Sequence, residues 1–286
     1  MPTSYRYLFR ILIIILVAGL IALAAILTFW KPPALNYAEN RLRSALKDYS
    51  VKIGARDITA RTLIFRDIDI RKTGQPVLGI GQLQLNFSIP SLIRYRIFEF
   101  FVKDIDIYSK YKINQASGRA SFKKDTLILK NLSASFLGGI VKGDGRIISG
   151  KAAFYSFALT LKDIQLEKIV ETFELSEKME LIGLAEGKVR LSGRGTTLTK
   201  LKGNLEVAPD GTLTIKSDEW LQKIAEYAHQ DVDVIVDNFK NYRYNEGTLS
   251  LGLRGFNIVM EAHLKGDTGK RDLLVTVHDF NPGGGR

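Results

Sequence analysis

The sequence has no cysteine and only three histidines in 286 residues. Without cysteine there is no disulfide framework, no thiolate nucleophile and no thiolate-bound zinc or iron–sulfur cluster. The histidines, at positions 229, 263 and 278, lie far apart in the chain. The sequence therefore predicts no histidine-based metal site, and we expect the protein to bind no metal ion.

Motifs that carry enzyme chemistry are also missing. There is no nucleophile elbow or zinc-protease motif, and the glycine-rich stretch 138–145 lacks the Gly-Lys-Ser/Thr sequence of a phosphate-binding loop. We interpret that stretch as hairpin turns, one of them at Gly143-Asp144-Gly145. No acid–base pair stands out, so we expect no catalytic residues, no cofactor and no enzymatic activity; a hydrolase of envelope polymers is the enzyme alternative.

A single long apolar run stands near the N-terminus. Residues 11–30 carry no charge and would form a helix about 30 Å long, which matches the hydrocarbon core of a bilayer. Pro32 and Pro33 end it. The alternative is a cleaved signal peptide with its cleavage site at residues 22–24. Because the apolar run continues to Trp30, we predict an uncleaved transmembrane anchor within residues 1–34.

Charge indicates the orientation of this anchor. Arg6 and Arg10 precede the span, and the first acidic residue is Glu39. The positive-inside rule therefore predicts a cytoplasmic N-terminus, with the bulk of the chain across the membrane. The whole chain has a net charge of +11, and its other basic residues are scattered. This pattern favours contact with anionic lipid and not with nucleic acid.

Beyond the anchor, helical patterns are few. Apolar residues recur at three- and four-residue spacing over 35–49, which predicts an amphipathic helix that packs on the first strands or lies on the membrane. A short helix is predicted over 165–173. A clearer one is predicted over 217–228, where Ser217 is a capping residue and Asp218 and Glu219 favour the first turn.

Most of the remaining chain alternates between apolar and polar residues, as strands with one apolar face do. Turn signals separate these runs, and Pro209-Asp210-Gly211 is the strongest hairpin signal. No alternation of strands with long helices is present, which argues against Rossmann-type and barrel enzymes. The clearest alternating apolar residues are Leu83, Leu85, Phe87, Leu249, Leu251 and Leu253.

A short motif recurs at the ends of strands. The sequence RDIDI at 66–70 returns as KDIDI at 103–107 and more weakly as KDIQL at 162–166. Such repetition suggests a sheet extended by successive hairpins and meanders. Asp67, Asp69, Asp104 and Asp106 are interpreted as polar-face residues, in preference to a cluster that binds a divalent cation.

These features resemble the AsmA-like superfamily. The glycine-punctuated segments LIGLAEGKVRLSGRG (181–195) and LKGNLEVAPDG (201–211) are similar to its characteristic repeat, and residues 131–145 resemble another copy. Residues 236–257 resemble the C-terminal domain of the subset once labelled "dicarboxylate transport". The resemblance implies an N-terminal β part over 35–180 and a C-terminal β part over 181–286 with one inserted helix.

The resemblance also implies a fold and a function. The fold is mainly β with one N-terminal transmembrane helix, and an elongated, curved, antiparallel-rich sheet forms a groove. The protein would be anchored in the inner membrane, with its groove in the periplasm, and would bind phospholipid or another acyl lipid, supporting intermembrane phospholipid transfer and outer-membrane biogenesis. It would act with envelope protein partners or as a homo-oligomer.

Two alternatives remain for the apolar strand residues. They line a groove that admits acyl chains, for which Leu83, Leu85, Phe87, Leu249, Leu251 and Leu253 are the candidates. Alternatively they pack on one another in a closed sandwich or barrel, and the protein is then a structural scaffold that docks envelope assembly factors.

The anchor prediction is tested by the mass of the chain extracted from membranes. We expect intact-mass spectrometry to find residues 1–34 retained, because the apolar run is long enough to span the bilayer. A chain that begins at Ala25 would instead identify a cleaved signal peptide.

Overall fold

The computed structural model describes residues 50–59, 61–86, 88, 97–107, 109, 111–148, 153–194, 197–255 and 257–277. The predicted anchor, the predicted helix over 35–49 and Phe87 lie outside these ranges. Within them, no helix combines the length and apolar character that crossing a bilayer requires.

The described residues form sixteen strands and three helices. The strands are β1 (Ser50–Ile58), β2 (Thr62–Lys72), β3 (Gln75–Asn86), β4 (Ile97–Ile107), β5 (Tyr111–Lys123), β6 (Thr126–Phe136), β7 (Gly139–Ile148), β8 (Phe154–Gln165), β9 (Met179–Ile182), β10 (Leu184–Arg194), β11 (Thr197–Val207), β12 (Gly211–Ile215), β13 (Tyr242–Tyr244), β14 (Glu246–Arg254), β15 (Asn257–Gly266) and β16 (Gly269–Val277). The helices are α1 (Leu166–Thr172), α2 (Asp218–Ala228) and α3 (Val232–Phe239).

Thirteen of these strands form one large sheet. Its order is β1-β2-β3-β4-β5-β6-β7-β8-β10-β11-β14-β15-β16, and every neighbouring pair is antiparallel. At about 4.8 Å between strands, the sheet extends roughly 58 Å across its strands. The prediction of a mainly β, antiparallel protein with a few short helices is confirmed.

Strand register places apolar side chains on one side of this sheet, which we call the apolar face. Leu63 lies opposite Leu85, and Leu85 lies opposite Phe100, so the same side of β2, β3 and β4 is apolar. The same matching continues to β16. Representative members of the apolar face are Leu63, Phe65, Leu83, Leu85, Phe100, Val102, Leu129, Val141, Leu159, Val189, Leu205, Leu249, Met260 and Val275.

The repeated sequence motif has a structural cause. The first Asp of each copy has a left-handed backbone, with φ of 52° at Asp67, 52° at Asp104 and 54° at Asp163. Asn131 gives a fourth case, with φ of 53°. Asp and Asn tolerate this region better than other non-glycine residues. In each strand, therefore, one residue interrupts the simple alternation of faces.

This interruption keeps the strand's apolar residues on one side. Phe65 and Ile68 are three positions apart, yet both are buried in the same cluster, one on each side of the left-handed Asp67. A glycine faces two of these positions: a Cβ at Gly54 would lie 2.9 Å from the Cβ of Asp67, and a Cβ at Gly81 would lie 2.9 Å from that of Asp104. The motif thus marks the left-handed residue that keeps the apolar side chains of the strand on one face.

The remaining elements cover part of the apolar face, and we call them the cap (residues 166–182 and 211–244). The chain leaves the large sheet after β8 to form α1 and β9, and again after β11 to form β12, α2, α3 and β13. Strands β13, β12 and β9 make a three-stranded antiparallel sheet. Leu213 of the cap and Leu205 and Leu249 of the large sheet share one core, with exposed fractions of 0%, 2% and 1%.

Two tyrosines of β13 stabilise this cap. The Tyr244 hydroxyl donates to the Ile182 carbonyl oxygen at 2.7 Å, and the Tyr242 hydroxyl donates to the Gly269 carbonyl oxygen at 2.6 Å. Burial, together with the nearby carboxylate of Glu167, raises the pKa of Tyr244. The Tyr244 hydroxyl therefore stays protonated, and the two hydrogen bonds hold β13 to its neighbours.

Two turn predictions are wrong. Pro209-Asp210-Gly211 forms a turn, but β11 and β12 on either side of it belong to different sheets, so it makes no hairpin. Gly211 is needed there because the Tyr244 ring occupies the space of a Cβ. Gly143-Asp144-Gly145 lies inside β7, where the glycines leave room for Ala158 and Phe157 of the next strand.

The helix predictions fare better. Helices α1 and α2 form where expected, and the Ser217 side chain accepts a hydrogen bond from the Trp220 amide at 3.3 Å. Helix α3 was not predicted, because its sequence VDVIVDNF is rich in β-branched residues. It buries Ile235 and Phe239, four residues apart on one side, against the core.

The left-handed backbone at Asp104 gives a stability prediction. We expect Asp104→Asn and Asp104→Gly to retain stability and Asp104→Val to lower the free energy of unfolding by about 1–2 kcal/mol, because a β-branched residue disfavours φ > 0. Denaturant unfolding of the full chain in detergent measures this. Lys112→Val, at an exposed position of β5 opposite Asp106, is the control; equal losses for both valine variants would contradict the interpretation.

Candidate functional site

The predicted groove residues fall in two separate places on the apolar face. Leu249 is 1% exposed in the core beneath the cap, and Leu251 packs against that core. Leu253 is half-buried at the end of β14. Leu83 and Leu85 are half-buried on β3, eight strands away in the sheet order. At about 4.8 Å per strand the two groups are roughly 38 Å apart, so they do not form one pocket.

The two places differ in what covers them. The core beneath the cap begins, in chain order, with Leu137 and Val141 at the β6–β7 turn and continues to Val275 of β16. A second, smaller cluster has its buried residues on β1 and β2, Phe65 among them, and half-buried Leu83 of β3 packs against it. No described residue of the cap belongs to this second cluster. We call the apolar face of β1–β6 the N-terminal half-face.

Most apolar side chains of the N-terminal half-face are half-buried. This holds for Leu83 and Leu85 on β3, for Phe98 and Phe100 on β4, and for Leu129 on β6. An ordinary soluble domain buries such a row against another layer. Here the described part of the chain supplies that layer only from β7 onward. The half-face therefore carries a row of half-buried apolar side chains that the cap does not cover.

Glycines opposite aromatic residues shape the apolar face near the boundary of the cap. Phe100 pairs with Gly118 across β4 and β5, where a Cβ would lie 3.0 Å from the ring. Phe157 pairs with Gly145, and its ring occupies the space of a Cβ there. Each ring extends over the glycine of its neighbouring strand, so a side chain at that glycine would lie too close to the ring.

The ionisable groups of the described residues do not assemble a reactive centre on this face. No group of three or more potential metal ligands occurs among the described residues. Burial, with the nearby Glu174, raises the pKa of Tyr111 to about 12, so its hydroxyl stays neutral. The ring of His263 contacts Asp272 at 2.7 Å in an exposed pair. The N-terminal half-face offers contact area for apolar groups.

The opposite side of the large sheet, which we call the polar face, carries a concavity that sequence reasoning missed. It has a volume of about 810 Å³ and lies over β8, β10, β11 and β14. Its charged lining consists of Lys162, Glu186, Lys188, Arg190, Lys202 and Glu206. The sequence had suggested scattered basic residues, but the register brings four of them together.

The chain matches no protein-family model, no curated protein and no solved structure at a significant level. Membership of the AsmA-like superfamily therefore stays a prediction from the glycine-punctuated segments of the sequence.

The glycine–aromatic pairs give a second stability prediction. We expect Gly145→Val to lower the free energy of unfolding by about 1–3 kcal/mol, because the new side chain must displace the Phe157 ring. Gly252→Val is the matched control, since a Cβ at Gly252 has no neighbour within 4 Å. Thermal or denaturant unfolding of both variants measures the difference; equal effects would show that Phe157 does not occupy this position.

Proposed function

We propose that this protein is a membrane-anchored lipid-binding protein that transfers phospholipid between membranes, as the AsmA-like resemblance implies. The single observation that carries the proposal is the N-terminal half-face, on which half-buried apolar side chains continue past the edge of the cap. Acyl chains lying against this half-face are its proposed ligand.

The energetics of such binding are favourable. Each methylene removed from water contributes roughly 0.8 kcal/mol, so about six methylenes in contact with Leu83, Leu85 and Phe100 contribute about 5 kcal/mol, which reaches the low end of the cost of association. A curved sheet would enclose the chain further, and we propose that the large sheet forms such a groove. No covalent chemistry or cofactor is part of this function.

The proposed location follows from the predicted anchor. The N-terminus would be cytoplasmic, the anchor in the inner membrane and the sheet in the periplasm. A sheet roughly 58 Å across does not by itself span a whole cell envelope. Transfer to the outer membrane therefore requires envelope protein partners or further copies of this chain.

One observation supports the alternative of a non-catalytic scaffold for envelope assembly factors. Leu249, one of the predicted groove residues, is buried in the core beneath the cap, and half-buried Leu251 packs against that core. That part of the apolar face offers no space for a lipid. A scaffold would use the exposed surfaces of the protein, and its activity would not depend on the N-terminal half-face.

Site-specific photocrosslinking tests the lipid proposal. A photoreactive phenylalanine derivative is placed in the full chain at Leu83, at Leu85 or at Gln84, which lies between them on the opposite face of β3. We expect crosslinks to phospholipid, identified by mass spectrometry, from positions 83 and 85 but not from 84. Equal yields at all three positions, or none, would contradict the proposal.

Charged substitutions separate the lipid proposal from the scaffold. Leu83→Lys is expected to reduce co-purifying lipid by about tenfold or more, because it places a charge in apolar contact. Gln84→Lys on the polar face is the matched control. Unfolding midpoints establish that both variants fold. A folded Leu83→Lys variant with undiminished lipid would favour the scaffold.

A further inference from the structure

The concavity on the polar face has a definite position in the sheet. It lies over four strands, β8, β10, β11 and β14, on the side opposite the core. The pairing of β10 with β8 shifts register between Ala185 and Gly187, and a bulge of this kind bends its strand. We call this concavity the charged trough. Its volume of about 810 Å³ is within the range of small-molecule sites.

Register places like charges opposite each other in the trough. Glu186 lies directly opposite Glu206, and Arg190 lies directly opposite Lys202. The reason is visible in the sequence: EGKVR on β10 and KGNLE on β11 run antiparallel, so like charges meet. Like charges directly opposite each other destabilise an antiparallel pair.

Like charges also meet elsewhere on the polar face, where Arg119 lies opposite Lys130. Both of these residues have acidic partners: Arg119 forms an ion pair with Glu99 at 3.3 Å, and Lys130 forms one with Asp144 at 2.7 Å. The like charges of the trough differ, because no described residue supplies such a partner to them.

The charges of the trough have no partners among the described residues. Arg190, Lys202 and Lys188 make no ion pair there, and neither do Glu186 and Glu206. Lys188 is the residue next to Arg190 on the same face of β10, and it lies opposite Thr160 and Asn204 of the neighbouring strands. The result is a basic end at Arg190 and Lys202 and an acidic end at Glu186 and Glu206, with Lys162 of β8 across from Glu186 at the register shift.

We propose that the charged trough binds a small phosphate ester that also carries an ammonium group. The phosphate contacts Lys188, Arg190 and Lys202, which provide charge-assisted hydrogen bonds. The ammonium group contacts Glu186 and Glu206. Such a ligand removes both like-charge repulsions at once, whereas a simple anion relieves only one. The inference goes beyond the proposed function, because it concerns the opposite face of the sheet.

The spacing suits a ligand of this kind. Alternate residues of a strand on one face are about 7 Å apart, so the acidic pair lies about 7 Å from Lys188 and about 14 Å from Arg190. Long side chains shorten these separations by bending toward the ligand. The hydroxyl and amide groups of Thr160, Asn204, Thr248 and Ser250 also line the trough and supply neutral hydrogen-bonding groups.

Calorimetric titration of the full chain, held in phosphatidylcholine nanodiscs at about 20 mM salt to limit screening, tests the proposal. The probes are O-phosphoethanolamine, glycerol phosphate, which lacks the ammonium group, and ethanolamine, which lacks the phosphate. We expect O-phosphoethanolamine to bind about threefold to tenfold more tightly than glycerol phosphate, and ethanolamine to bind least. Equal affinity for the two phosphate esters, or no saturable binding of either, overturns the proposal.

Variants at the two ends of the trough are expected to respond differently. Arg190→Gln with Lys202→Gln lowers affinity for both phosphate esters at least about tenfold. Glu186→Gln with Glu206→Gln weakens O-phosphoethanolamine but strengthens glycerol phosphate, since acidic repulsion is removed. Lys112→Gln, an exposed lysine on β5, is the control and leaves both affinities unchanged. The same loss of glycerol phosphate binding in both double variants overturns the assignment of the acidic end.

A second arm identifies the source of the ligand. Nanodiscs that contain phosphatidylethanolamine compete with soluble O-phosphoethanolamine if the trough takes a lipid headgroup. Absence of competition assigns the site to a soluble ester. Because the trough and the N-terminal half-face lie on opposite sides of the sheet, lipid crosslinking at Leu83 is expected to persist in the trough variants.

Discussion

A sheet with apolar side chains along one entire face must have that face covered, and this requirement explains most of the architecture. Where the chain makes long excursions between strands, it covers the face itself with the cap. Over β1–β6, the described residues supply no such layer. The protein thus combines a closed core at one end of a continuous sheet with a partly accessible apolar surface at the other.

The one-sidedness of the sheet depends on a few special backbone positions. Strict alternation places every second residue on the same side, so an apolar pair three residues apart requires a local change of backbone conformation. Left-handed residues at Asp67, Asp104, Asn131 and Asp163 provide that change. A glycine opposite Asp67 and another opposite Asp104 leave room for it. These residues look like a possible carboxylate cluster in sequence, but their conformation accounts for their recurrence.

Part of the candidate site could be predicted from the sequence, and part could not. Alternation correctly placed Leu83, Leu85, Leu249 and Leu251 on one face, because a strand's side chains point alternately to its two sides. It did not separate the pair on β3, which the cap does not cover, from the pair on β14, of which Leu249 is buried in the core beneath the cap and Leu251 packs against it. That difference comes from α1–α3 and β9, β12 and β13, which pack over one group and not over the other. The charged trough arises in a similar way, since it depends on which residues of β10 and β11 face each other.

Local periodicity and capping are enough to predict the antiparallel, mainly β class, the places of α1 and α2 and the apolar side of most strands. Tertiary contacts are needed to explain why Pro209-Asp210-Gly211 leads into another sheet and why VDVIVDNF is helical. Burial of Ile235, Phe239 and Leu213 in a shared core outweighs local preference there. The tertiary structure also determines which apolar residues are covered and which charges meet, because covering and register depend on contacts between residues distant in the chain.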